Sequence, residues 1–317
     1  MITGRAPIVW LLHDDKPGHN TQLRGLAHRL KALGNAHCHW IDCGNLSVPF
    51  WRALFGVAPV IDALSALPSP DIVIGAGSQT HRLLFALRRR KQVMTTVLMR
   101  PSLPLSWLDT AIIPEHDTPA SSDRTLITKG VLNTITPMAK LTARHNGLML
   151  IGGPSKHFEW DDDQVLAQID QLRKALPGWH WTLSSSRRTP QAMLSRLALM
   201  EDSTLTVTDH RKTHASWLSQ TLADSRCVWI TPDSVSMVYE GLTSGLPTGL
   251  FDIPPKSDSR VARGIAQLQA DQRVYSLSDA SSIATATPPA PLWEADRAAR
   301  WLLDRWQSRQ KAGASLP

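Results

Sequence analysis

Cysteine is scarce in this chain, and long apolar runs are missing. Three cysteines in 317 residues, Cys38, Cys43 and Cys227, give neither a metal-ligand spacing nor a disulfide framework. Cys38 and Cys43 flank one predicted strand and fit reduced, half-buried positions, in line with an expected cytoplasmic protein. No tight His/Cys/Asp cluster suggests a metal site, so neither a metal nor a separate cofactor is expected. No apolar run approaches membrane-spanning length, and no signal-peptide pattern precedes Ile8. Peripheral attachment at the inner membrane stays open. No Lys/Arg run is interleaved with aromatics in the manner of nucleic-acid platforms, so no nucleic-acid partner is expected. The turn Gly75-Ala76-Gly77 lacks the third glycine of a dinucleotide fingerprint.

What is present suits a folded, basic protein. Hydrophobic residues make up 42%, enough for a full core, and charged residues 19%, which argues against wholesale disorder. The formal charge is +7 and the isoelectric point about 9.6. That balance suits an anionic ligand, a phosphate-rich surface or an anionic membrane face without choosing among them. The longest basic run, Arg88-Arg89-Arg90-Lys91, reads as the last turn of a helix, where cations suit the dipole, or as a membrane or polyanion contact.

The length predicts two domains. Apolar runs at Ile8–Leu12, His37–Asp42, Asp71–Ile74, Val93–Met99, Thr110–Ile113 and Thr125–Ile127 predict strands that alternate with helical stretches. Asn133–Ala143 has no clear period and reads as a linker. The alternation restarts at Leu148 and continues through Trp179–Leu183, Leu205–Val207, Cys227–Ile230 and Thr248–Ile253. Predicted helices include Thr21–Leu33, Thr213–Ala223 and Ser236–Thr243. Such alternation makes parallel sheets with helices on both faces. The predicted domains are 1–135 and 146–290, followed by a closing helix over 291–308 packed across both. The tail Ala312–Pro317 is expected to be mobile.

Six strand ends carry the chemistry. In an open α/β sheet, ligands bind at the carboxyl ends of strands. The first strand runs into Asp14-Asp15-Lys16-Pro17-Gly18-His19. Asp14, Asp15 and His19 are candidate bases, with Asp15 and His19 ranked above Asp14, which could simply bond backbone. Lys16 suits a phosphate and Gly18 a close backbone approach. A solvated loop with an Asn20 helix cap is the plain alternative. Gly77, Ser78 and Arg100 end later strands of this half and are further acceptor-side candidates. In the second half, Gly152, Gly153 and Lys156 end one strand, and Ser186, Arg187 and Arg188 end the next. These cations suit a diphosphate, or else surface pairing with acidic helices. The stretch Thr231–Leu250 reads as strand end, short helix, glycine cap and strand. Ser234 and Ser236 would open that helix with free N–H groups facing an anion. Glu240, further along it, would hold a ribose diol or form a surface salt bridge.

Four motifs, DDKPGHNTQ (Asp14–Gln22), IGGPSKHF (Ile151–Phe158), SSSRRTP (Ser184–Pro190) and TPDSVSMVYEGLTSGLP (Thr231–Pro247), make the chain resemble the mitochondrial-fission "elongated mitochondria" family and its bacterial members. The resemblance spans roughly residues 8–306. It implies a GT-B-like α/β architecture of two doubly wound Rossmann-like domains facing a central cleft. It also implies nucleotide-sugar chemistry, because bacterial members are often described as nucleoside-diphosphate-sugar epimerases or glycosyltransferases. The last motif resembles the nucleotide-binding region of GT-B glycosyltransferases, whose ribose-holding acid maps onto Glu240. Thr243 and Ser244 stand where the wider fold family often has a second acid. The expected partners are a nucleotide sugar and a saccharide or lipid acceptor. Transfer of the sugar, its epimerisation, and binding without turnover are the three readings that follow.

Overall fold

The computed structural model describes residues 5–102 and 104–314. The chain begins with β1 (Ile8–His13), α1 (Pro17–Gly34), β2 (His37–Asp42), α2 (Phe50–Phe55), α3 (Asp62–Ser65), β3 (Ile72–Ala76), α4 (His81–Leu87), β4 (Met94–Leu98), β5 (Thr110–Pro114) and β6 (Thr125–Thr128). It continues with β7 (Asn146–Leu150), α5 (Asp162–Ala175), β8 (His180–Ser184), α6 (Gln191–Leu199), β9 (Leu205–Thr208), α7 (Trp217–Asp224), β10 (Cys227–Ile230), α8 (Val235–Ser244), β11 (Thr248–Leu250), α9 (Arg260–Ala270) and α10 (Glu294–Ala314). Of the tail expected to be mobile, Ala312–Ala314 instead end helix α10, and residues 315–317 lie outside the described residues. The chain divides into two units. One holds residues up to Thr134 together with those from Trp293 onward, and the other holds Ile135–Leu292.

The first unit is built on a six-stranded parallel sheet in the order β2-β1-β3-β4-β5-β6. The inner strands β1, β3 and β5 read as apolar runs because both faces are covered, whereas the edge strand β2 (HCHWID) alternates with polar residues. Along β1, Val9 and Leu11 face one cluster, and Trp10 and Leu12 face the other. The first cluster takes Leu23, Leu26 and Leu30 from α1, whose apolar positions recur at helical spacing. Ala298, Leu302 and Trp306 of α10 complete it, so the C-terminal helix packs against α1 within this unit. The second cluster takes Leu83–Leu87 of α4 with Val48, Ala53 and Leu64.

The second unit carries a five-stranded parallel sheet in the order β11-β10-β7-β8-β9. α8 lies close on β10. A Cβ on Gly241 would stand 2.8 Å from Ile230 Cδ1, so only glycine permits that approach without a shift. Gly245, at φ +78°, ends α8 in the left-handed conformation.

Several expected boundaries move, and the closing helix expected over 291–308 runs instead over Glu294–Ala314. α1 starts at Pro17 rather than Thr21, because proline is preorganised for the first helical position. Gly18, His19 and Asn20 therefore belong to a helical turn and not to a loop. The strand expected over Thr248–Ile253 pairs only through Leu250, and Pro254 and Pro255 follow shortly after. The helix expected from Thr213 starts at Trp217. Before it, Asp209 accepts a bond from Arg211 N and holds His210–Lys212 in a 3₁₀ turn. Among the described residues no helix is long and apolar enough to cross a membrane.

Candidate functional site

Each sheet reverses its strand order once, between β1 and β3 in the first unit and between β7 and β10 in the second. The crevice at such a switch point is where open α/β sheets hold ligands. The polar strand ends of this chain fall at both switch points.

In the first unit, β1 delivers Asp14 and the opening turn of α1 delivers His19. Asp14 is 1% exposed. His19 Nδ1 lies 2.9 Å from both of its carboxylate oxygens. Asp14 Oδ1 also accepts from Lys16 N at 3.1 Å, and its carbonyl accepts from Asn20 Nδ2 at 3.0 Å. A carboxylate can only accept, so the proton of a neutral His19 resides on Nδ1 and the Nε2 lone pair is left for another partner. Gly77, after β3, sits at φ +94°. A Cβ there would collide with both Asp14 Oδ2 and His19 Nδ1, so this glycine makes room for the pair.

The other expected acceptor-side groups are less engaged. Asp15, Lys16, Gly18, Ser78 and Arg100 are exposed. Asp15 does not share the contact with His19 and lies toward Gly44 and Asp42. Of the two aspartates it is Asp14, ranked lower from sequence, that touches the histidine. Sequence reasoning also missed His81, a buried residue whose Nδ1 lies 3.0 Å from Ser102 Oγ. Burial, and next the nearby His19, lower its pKa, so it favours the neutral form. Its place at the start of a helix in an apolar run hid it.

In the second unit, β7, β8 and β10 end side by side. Gly152 N donates to Thr231 Oγ1 at 2.7 Å, and Gly153 N donates to Asp233 Oδ2 at 3.1 Å. A side chain on Gly152 would strike the Asp233 carboxylate, and one on Gly153 would strike the Arg188 backbone. Thr189 Oγ1 bonds the carbonyls of Ile151 (3.1 Å) and Gly152 (2.5 Å), and Ser186 N donates to that same hydroxyl at 2.8 Å. The three strand ends are thus tied into one rigid rim.

The cations divide. Arg188 Nη2 donates to Asp233 Oδ2 at 2.5 Å and to the Asp233 carbonyl at 3.2 Å. Its charge is taken up by an acid that the sequence reading treated only as a strand breaker. Burial raises the Asp233 pKa, against which Thr231, Arg188 and Gly153 act in the opposite direction. Its Oδ1 is buried with no hydrogen-bond partner among the described residues. Lys156 and Arg187 are exposed. His157 is pushed toward the neutral form by burial and by the charges of Lys156 and Arg188. At the start of α8, Ser234 is the N-cap residue but makes no side-chain cap bond, and Ser236 is exposed. Glu240 is half-buried, and burial pushes its carboxyl up to about 7.

Among the described residues, no group of three or more His, Cys, Asp or Glu could hold a metal ion. What the two sites offer is a histidine backed by a carboxylate, and a strand-end rim with exposed cations beside a helix N-terminus.

Known proteins share this architecture. The UDP-GlcNAc 2-epimerase of Neisseria meningitidis, solved bound to UDP-GlcNAc, matches with a TM-score of 0.53 at 11% identity, covering 94% of this chain and all of that one. A glycosyltransferase from Rickettsia africae matches with a TM-score of 0.51 at 11% identity, covering 96% of this chain and 99% of that one. At such identities the likeness is one of fold, and it makes the architecture GT-B-like. By sequence, the protein RP120 of Rickettsia prowazekii (strain Madrid E), described as uncharacterized, is 26% identical over 306 residues, 79% of this chain and 84% of that protein. The family described as Mitochondrial fission ELM1 matches residues 17–306. With that match over nearly its whole length, the chain belongs to the Mitochondrial fission ELM1 family.

Proposed function

We propose that this protein transfers a sugar from a nucleoside-diphosphate sugar to a saccharide or lipid acceptor. The observation that carries the reading is the contact of His19 Nδ1 with both Asp14 oxygens at the first unit's switch point. It leaves Nε2 as a base of fixed orientation. His19 Nε2 takes the acceptor hydroxyl's proton as that oxygen bonds the anomeric carbon. The bond from that carbon to the diphosphate breaks, and the nucleoside diphosphate leaves with the electron pair. Asp14 steadies the imidazolium that forms. In the second unit Lys156, Arg187 and the free amides of α8 neutralise the leaving diphosphate, which needs no other electrophile. Arg188 holds the rim through Asp233, and Glu240 accepts from the ribose hydroxyls.

A second reading is epimerisation of the sugar on the same fold. The neutral-leaning His157 favours it, since it would be a base on the nucleotide side. Binding without turnover is the third. One incubation separates them: a panel of nucleotide sugars, each with and without saccharide or lipid acceptors. Acceptor-dependent release of nucleoside diphosphate supports transfer. A changed sugar without acceptor supports epimerisation, and saturable binding with neither supports a non-catalytic role.

A further inference from the structure

We propose that the segment from Phe50 to Val60, with the basic turn that closes α4, docks on the surface of an anionic phospholipid bilayer. The helix α2 is turned the wrong way round for a soluble surface. Its small residue, Ala53, is fully buried in the first unit's core, while Phe55 is 57% exposed, Phe50 53% and Trp51 49%. The loop that follows adds Val60 at 86%. Hydrophobic burial favours the opposite arrangement, with the largest side chains inside. Apolar side chains exposed one at a time are ordinary, but a run of them on one segment marks an interaction surface.

The cations around this segment are built onto it. α2 packs against α4, whose last turn leads into Arg88-Arg89-Arg90-Lys91. The Arg88 guanidinium donates to the carbonyls of Ala53, Leu54 and Phe85 and lies 4.7 Å over the Trp107 ring. It thereby fastens the end of α2. Gly56 takes φ +65° there, and a Cβ on it would stand 2.9 Å from the Arg89 stem. Arg52 lies 4.7 Å over the Trp51 ring and donates to Ala58 O at 2.8 Å. Arg89, Arg90 and Lys91 are exposed. No acidic residue occurs between Asp42 and Asp62 or between Asp71 and Asp109.

Projecting aromatic side chains beside unopposed cations match a bilayer with anionic headgroups. The rings enter at headgroup depth while the cations meet lipid phosphates. A second copy of this chain fits poorly, because a twofold contact over this patch would bring two like-charged basic turns into one interface. A nucleic acid would leave the apolar side chains uncovered. This proposal does not depend on sugar transfer.

Sedimentation of the full chain with vesicles tests it. The vesicles are phosphatidylcholine with and without phosphatidylglycerol, at low and high salt. The parent protein should sediment with the anionic vesicles at low salt and be released at high salt. Arg89→Gln with Lys91→Gln should weaken that binding roughly twentyfold or more, at about fivefold for each cation. Trp51→Ser with Phe55→Ser should abolish it. Both variants alter exposed side chains and leave Ala53 in place, so their circular dichroism should match the parent's. Absence of sedimentation by folded parent overturns the proposal. So does equal binding to pure phosphatidylcholine, undiminished binding by both variants, or self-association without lipid that the Trp51/Phe55 variant removes.

Discussion

Asp14 and His19, five residues apart, form a two-pronged contact because a strand ends at one and a helix opens just before the other. The carboxylate bonds both the imidazole and the backbone of the turn. It sets the histidine's tautomer and its direction together.

From that contact we predict unequal effects of substitution. His19→Ala should lower turnover by ~10²–10⁴-fold while leaving nucleotide binding intact. Asp14→Asn keeps the shape but offers an amide where a carboxylate accepted, and should cost a comparable factor. Asp15→Asn should change turnover little. Steady-state rates beside calorimetric titration with nucleoside diphosphate provide the measurement. If Asp15→Asn is the damaging change and Asp14→Asn is harmless, the base has been misassigned.

Gly77→Ala should damage the same site while leaving the Asp14 and His19 side chains chemically unchanged. The added methyl is strained at φ +94° and collides with Asp14 and His19. The expected cost is about 1–3 kcal/mol of stability together with reduced turnover. Thermal unfolding and rates at saturating substrate read the two effects. Parent-like values in both would show that the pair does not need the glycine.

The arginines of SSSRRTP should separate. Arg187→Ala should weaken nucleoside-diphosphate binding by about 1.5–3 kcal/mol with stability unchanged. Arg188→Ala removes the partner of a buried carboxylate and should destabilise the protein by roughly 1–3 kcal/mol, discounted for the arginine's own exposure. That loss should grow with pH, because a protonated Asp233 carries no unpaired charge. Denaturant unfolding at acid and neutral pH checks the sign. An Arg188→Ala protein as stable as the parent at both would contradict the pairing.

Glu240 predicts an opposite use of pH. Burial pushes its carboxyl up to about 7 in the folded protein, above its ordinary value. Below the ordinary value both folded and unfolded states are protonated, so the group costs nothing. As pH rises to about 7 the unfolded state releases its proton first, and stability falls. Above that the full cost is present. Glu240→Gln should therefore stabilise by about 1–3 kcal/mol at pH 8 and have little effect at pH 4, read as the difference in unfolding free energy. A variant no more stable than the parent at pH 8 would refute the buried-carboxyl account.

The alternation of apolar runs with helical stretches determined both parallel sheets, since strands covered on both faces are predominantly apolar. It also determined that the polar turns lie at strand ends. Sequence spacing alone ranked Asp15 above Asp14. The choice turned on which carboxylate the first turn of α1 brings to His19, and that depended on the helix starting at Pro17. Arg188 and Asp233 are 45 residues apart, and only the adjacency of β7, β8 and β10 brings their side chains together. The same holds for α10: a closing helix was legible, but not the fact that Leu302 and Trp306 complete the cluster around α1. Local periodicity says which face of a segment is apolar. What that face meets, and which charge lies opposite which, is set by strand order, a property of the assembled sheet and not of any segment in it.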